Sequence, residues 1–146
     1  SSTPCGNSTL TRLSGRSRFR ARAIGLPMPL TKEFARRFAE DWIASWNSHD
    51  LARILSHYTE DFEMSSPMIV QLMGEPTGML KGKTAIRDYW TRALARTPNL
   101  HFDLTEVLVG ASSLVIQYHG PRGPSAEVFW FDAQNKVCRA AAHYAS

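Results

Sequence analysis

Three helix-like stretches followed by a run of alternating, strand-like segments predict an α+β fold, with helices laid on one face of a bent antiparallel sheet. Apolar residues recur at helical spacing from Phe34 to Trp46, and again around Ile54 and Trp90. From Leu100 the period switches to two. Gly, Pro and Asn clusters punctuate the strand-like segments.

Thr31 is placed to cap the first helix, with Glu33 in its first turn. Phe34, Phe38, Trp42 and Trp46 then follow at steps of four, beside Ala35, Ala39 and Ile43, as one apolar stripe. Asn47-Ser48-His49 ends the helix and Asp50 caps a second, with Leu51, Ile54, Leu55 and Tyr58 as its buried face. Phe62 and Met64 alternate with Asp61, Glu63 and Ser65, which reads as a strand ending at Ser66-Pro67. Residues 66–82 read as a long irregular connection with a short strand at Met68–Leu72, and as a pocket rim carrying Met68, Met73 and Met79. Gly82-Lys83-Thr84 opens a third helix, with Ile86, Tyr89, Trp90 and Leu94 on its apolar side and Thr97-Pro98-Asn99 at its end.

In the strand region Leu100, Phe102, Leu104 and Leu108 share a face. Glu106 lies among them and faces inward unless a bulge turns it out. Leu114, Ile116 and Tyr118 form the next inward face, then Glu127, Phe129 and Phe131. The last strand is Val137–Tyr144. Cys138, Ala140 and Ala142 share the face of Tyr144, which puts Tyr144 inward and His143 outward with Arg139.

At 146 residues, 43% hydrophobic and 21% charged, the chain suits one ordinary globular domain. The net charge of +4 belongs to one end. Residues 1–27 carry Arg12, Arg16, Arg18, Arg20 and Arg22 and no acid, whereas the rest holds 12 Lys/Arg against 13 Asp/Glu. The expected layout is therefore a disordered basic extension over 1–27 and a domain over 28–146. The extension has the Ser/Arg-rich composition of an organelle transit peptide. The plainer reading is that translation starts at Met28. The remaining chain has no net basic charge to attract nucleic acid, and no apolar run approaches the roughly 20 residues of a membrane helix. Cys5 and Cys138 form no metal motif and no disulfide framework; they read as an incidental tail cysteine and a packed core one, in a reducing compartment. The expected location is the cytoplasm, or an organelle if the extension is a transit peptide. No residue spacing points to a metal or a cofactor.

The segments WNSHDLARILSHYTEDFEMSSP, GKTAIRDYW and EVFWFDAQNKVCRAAAHY, in this order and spacing across residues 34–144, resemble the nuclear-transport-factor-2-like superfamily, in particular its SnoaL-like and ketosteroid-isomerase-like members. The resemblance implies a cone-shaped, cystatin-like roll: a curved antiparallel sheet packed by three N-terminal helices around a blind apolar pocket, in many members a homodimer through the outer sheet face. The isomerase pattern aligns without gaps from Trp42 to Pro67. Its oxyanion-binding tyrosine falls at Trp42, its catalytic aspartate at Ser66, and its protonated acid at Glu127. Two of the three are changed. Trp42 has only an indole N–H to donate and Ser66 cannot abstract a proton unaided, so steroid isomerisation is not expected. The Asp–Arg–Asp trio of the superfamily's epoxide hydrolases is not visible either.

Glu127 is the sharpest candidate for acid/base work, because a carboxyl on the face of Phe129 and Phe131 is expected to have a raised pKa. Tyr144 is the candidate donor beside it. Trp42, Trp46, Tyr58, Met64, Ser66, Trp90, Phe102, Tyr118 and Phe129 are the expected pocket lining. The expected function is binding of a small apolar ligand, with cofactor-free isomerase, lyase or cyclase chemistry if the protein is an enzyme. The alternative is a non-catalytic dimerisation or interaction module, using an outer sheet face with Val115, Val128 and Trp130.

Overall fold

The structure, a computed structural model, describes Cys5 and residues 30–145. The expected extension over 1–27 lies, apart from Cys5, outside the described residues. Helix α1 spans Lys32–Ser48, and Thr31 Oγ1 accepts from Phe34 N at 3.0 Å as its cap. Its apolar stripe is buried, from Ala35 and Phe38 through Trp42 to Trp46. The helix stops where His49 turns left-handed at φ 62°. That corner is clamped to the segment ahead of the third strand: Asn47 exchanges two hydrogen bonds with the Phe102 backbone, and His49 Nε2 meets Leu100 O at 2.8 Å.

Asp50 caps α2 (Leu51–Leu55), its Oδ1 accepting from Arg53 N at 3.2 Å. The helix is shorter than expected, and Tyr58 opens strand β1 (Tyr58–Ser65) instead. Phe62 and Met64 are buried in β1, as their alternation predicted.

The strand expected at Met68–Leu72 is instead a helix, α3 (Pro67–Met73). Its local chemistry explains why. Ser66 Oγ accepts from Met68 N at 3.0 Å. Pro67 occupies the first turn, where a missing N–H costs nothing. Gly74 ends the helix at φ 68°, a conformation that favours glycine. The chain continues through β2 (Met79–Lys81), α4 (Lys83–Arg96), β3 (Asp103–Val109), β4 (Ser113–Gly120), β5 (Gly123–Phe131) and β6 (Val137–Tyr144). Among the described residues the helices therefore number four rather than three, and β1 and β2 are interleaved with them.

The strands form one curved, unclosed sheet in the order β2-β1-β6-β5-β4-β3. All neighbours are antiparallel except β1 and β6, which run parallel. The expected α+β fold with a curved sheet is present, and this one parallel pair departs from the expected antiparallel pattern. The chain leaves β1 through α3, β2 and α4, then returns as the meander β3 to β6. A crossover that long lets the last strand lie beside the first in the same direction.

A bulge in β3 shifts the register between Leu104 and Glu106. It leaves Glu106 exposed, turns Val107 toward the core and leaves Leu108 at 47% exposure, against the expected inward Leu108. The cysteines also depart from expectation: Cys5 and Cys138 are paired as a disulfide, 133 residues apart in sequence. No local motif signals a pair so distant in sequence. Among the described residues, no helix is long and apolar enough to cross a membrane.

Candidate functional site

Between the C-terminal half of α1, α4 and the inner sheet face lies a cavity of about 300 Å³. Helix α1 supplies Trp42 and Trp46, while α4 supplies Tyr89, Trp90 and Ala93. The sheet contributes Met64, Tyr118, Ser125, Glu127 and Tyr144. Phe102, held by the Asn47 clamp, forms one side wall. Its ring lies close against Gly120, where an added Cβ would come within 2.9 Å of the ring, so only glycine fits without displacement.

Glu127 is 4% exposed, and Tyr118 Oη donates to its Oε1 at 3.3 Å. Burial pushes the Glu127 carboxyl up to about 8, and the Tyr118 hydrogen bond offsets this only in part. At neutral pH the group is therefore mostly a neutral carboxylic acid, able to donate a proton or a hydrogen bond. Burial likewise pushes Tyr144 up to about 12, assisted by the nearby Glu127 charge. Tyr118 and Tyr89 are driven higher still, first by burial. All three hydroxyls remain protonated donors at any ordinary pH. Trp46, also in the wall, has an indole N–H with no partner among the described residues.

Of the residues expected at the site, Glu127, Tyr144, Trp42 and Trp46 line the cavity, as do Met64, Trp90, Phe102 and Tyr118. Three others do not. Tyr58 is buried behind Trp42 and accepts its indole N–H at 2.9 Å. Phe129 packs between Phe38 and Trp42, with ring centroids 5.2 and 5.3 Å away, and is spent on the core. Ser66 stands one layer back: its hydroxyl caps α3, accepts from Tyr89 Oη at 3.2 Å and also faces Tyr144. The outward placement of His143 holds, since it is exposed while Tyr144 is half-buried.

Several lining residues escaped sequence reasoning, notably Gln71, Arg96, Thr97 and Arg122. Part of the signal was present. Tyr89, Ala93, Arg96 and Thr97 continue one helical face beyond the aromatic residues. Arg122 sits in the hairpin turn five residues before Glu127. Among the described residues no three His, Cys, Asp or Glu side chains gather as a metal cage.

A curved open sheet covered by helices is the fold that the comparisons with known proteins also find. The SnoaL-like domain family matches residues 39–141, and the chain belongs to that family. A SnoaL-like protein of unknown function from Burkholderia thailandensis is 50% identical, with a TM-score of 0.78 over 81% of this chain and 99% of that one. A cystatin-like-fold protein of unknown function from Methylobium petroleophilum is 18% identical, with a TM-score of 0.62 over 81% of this chain and 80% of its own. SalBIII, an epoxide hydrolase/cyclase-like enzyme of pyran ring formation in the polyether salinomycin, is 13% identical, with a TM-score of 0.61 over 77% of this chain and 92% of its own. The latter two show likeness of fold alone. Among curated proteins, none matches the sequence.

Proposed function

We propose that the cavity binds a compact apolar molecule with one or two polar handles, and that Glu127 acts on it as a cofactor-free general acid/base. The step would be of isomerase, lyase or cyclase type, with Tyr144 or Tyr118 as hydrogen-bond donor to the developing charge. The observation that carries this reading is the Glu127 carboxyl itself. It sits in the cavity wall, and burial pushes it up to about 8, near the pH at which a proton is most usefully given or taken. The presence of both Glu127 and Tyr144 in an open cavity supports ligand binding over the interaction-module alternative.

Steroid-enone isomerisation is not the proposed reaction. The Trp42 N–H is committed to Tyr58, and the Ser66 hydroxyl is committed to the α3 cap and Tyr89. We also read the outer face of β4, β5 and β6, with Val115, Val128 and Trp130, as the surface for a second copy, which analytical ultracentrifugation tests directly.

Proton exchange tests the catalytic reading. Compact cyclic ketones and enones are incubated with the protein in deuterated water, and exchange of the acidic C–H is followed by NMR. Exchange that Glu127→Gln abolishes and Tyr144→Phe slows is the expected result. Exchange unaffected by Glu127→Gln would remove Glu127 from the mechanism.

A further inference from the structure

The cavity mouth has a charge character that its apolar walls do not suggest. Arg96, from the last turn of α4, and Arg122, from the β4–β5 turn, both line the cavity. They reach it from different elements, one helical and one in a hairpin. Neither makes an ion pair or donates a hydrogen bond to any described residue, although Arg53, Lys81, Lys83 and Arg92 each find a carboxylate partner. The Arg122 guanidinium is held 5.5 Å from the centroid of the Tyr144 ring, and its charge is felt by the Tyr144 and Tyr89 hydroxyls. It is thereby placed toward the cavity. Among the described residues the only acid in the lining is Glu127, which burial keeps protonated through most of the neutral range. The lining therefore carries two positive charges with no carboxylate partner among the described residues, together with a broad aromatic surface.

We infer that the ligand carries a carboxylate, held at the mouth by Arg96 and Arg122, while its apolar body lies against Trp42, Trp46, Trp90 and Phe102. The guanidinium fork matches a carboxylate in shape as well as charge. Positive charge at the rim also raises the local concentration of an anionic ligand before it enters. A carboxylate anchored at the rim leaves the opposite end of the molecule facing Glu127 and Tyr118. This inference rests on the reading that the cavity binds a ligand, and it names the class of that ligand.

The test compares matched pairs, each a carboxylate and its methyl ester: cyclohexylacetate and phenylpropanoate. Binding to the full chain is read by titration calorimetry. The carboxylate is expected to bind roughly tenfold or more tightly than its ester, as a charge-assisted contact supplies. In the wild-type protein that advantage is expected to shrink as salt rises from tens of millimolar to half molar. In the Arg96→Gln/Arg122→Gln double variant it is expected to vanish, with circular dichroism confirming the fold. Both side chains are exposed, and the salt series needs no variant at all. An ester that binds as tightly as its acid overturns the carboxylate clamp and leaves the pocket standing. A carboxylate preference that survives the double variant also overturns the clamp. If neither member of either pair binds, the clamp and the ligand-binding reading fall together.

Discussion

The two ends of helix α1 present the same apolar stripe to the sheet and meet different fates. At its N-terminal end Phe34 and Phe38 close against Phe129 and Phe131, with ring centroids 5.1 to 5.4 Å apart and edges turned to faces. At its C-terminal end Trp42 and Trp46, with Trp90 and Phe102, surround the cavity. What changes is the opposite wall. Along the inner face of β5 the residues run Phe131, Phe129, Glu127, Ser125, from two large rings to two polar groups. On β6, Ala140 and Ala142 stand beside Phe129 and Glu127, filling little of the space that the rings vacate. A helical stripe therefore fixes which face is buried, while its partner strands decide whether that face is packed solid or left hollow.

Truncating the solid end should cost most. Phe129→Ala removes a fully buried ring and is expected to lose about 3–5 kcal/mol in urea unfolding. A much smaller loss would mean that the closed end is looser than its ring contacts imply.

Next in size is Glu127, at the hollow end. Its folded pKa of about 8 lies above the ordinary 4.5, so the folded state holds the proton more tightly than the unfolded chain. The stability contributed by Glu127 should be full below about 4.5, fall as pH rises from there to about 8, and then level off. Glu127→Gln lacks this slope. Its unfolding free energy should pull ahead of the wild type across that window by an amount on the order of a few kcal/mol, seen as a rising difference in melting temperature. Parallel melting curves at every pH would show that the carboxyl is not buried as described.

Two tyrosine-to-phenylalanine changes sharpen the contrast further. Tyr58→Phe strands the buried Trp42 N–H that it now accepts, and should cost about 1–3 kcal/mol. Tyr144→Phe removes a hydroxyl that faces the cavity, and should change stability by less than about 1 kcal/mol. Equal costs by chemical denaturation would erase the distinction between the packed layer behind the cavity and the cavity wall.

Much of this was legible in the chain. The caps at Thr31 and Asp50, the stripe of α1 and the inward faces of β4, β5 and β6 all follow from local chemistry and period, and Glu127 and Tyr144 were placed by that alternation. What was missed depends on competition or distance. Met68–Leu72 is too short and uniformly apolar for periodicity to separate strand from helix, and the flanking Ser66-Pro67 cap and Gly74 decided it. The β3 bulge reversed Leu108 because a single extra residue exchanges the two faces. Tyr58 and Phe129 share faces with true lining residues, and only three-dimensional depth shows that they lie behind the cavity. The Arg96 and Arg122 pairing joins a helix end to a hairpin turn, which no period connects. The Cys5–Cys138 pairing is more distant still.

The strand order also constrains the sequence of events in folding. β6 sits between β1 and β5, and its parallel ladder with β1 joins the β2-β1 edge to the β5-β4-β3 meander. Until residues 137–144 are synthesised, these two parts of the sheet have no shared strand. On a ribosome, α1 and α2 would emerge long before the strand that completes the surface beneath them. Such non-local pairing slows folding and keeps aromatic surface waiting. Pulse-labelling hydrogen exchange during refolding should therefore find β4–β5 amides protected before those of β1.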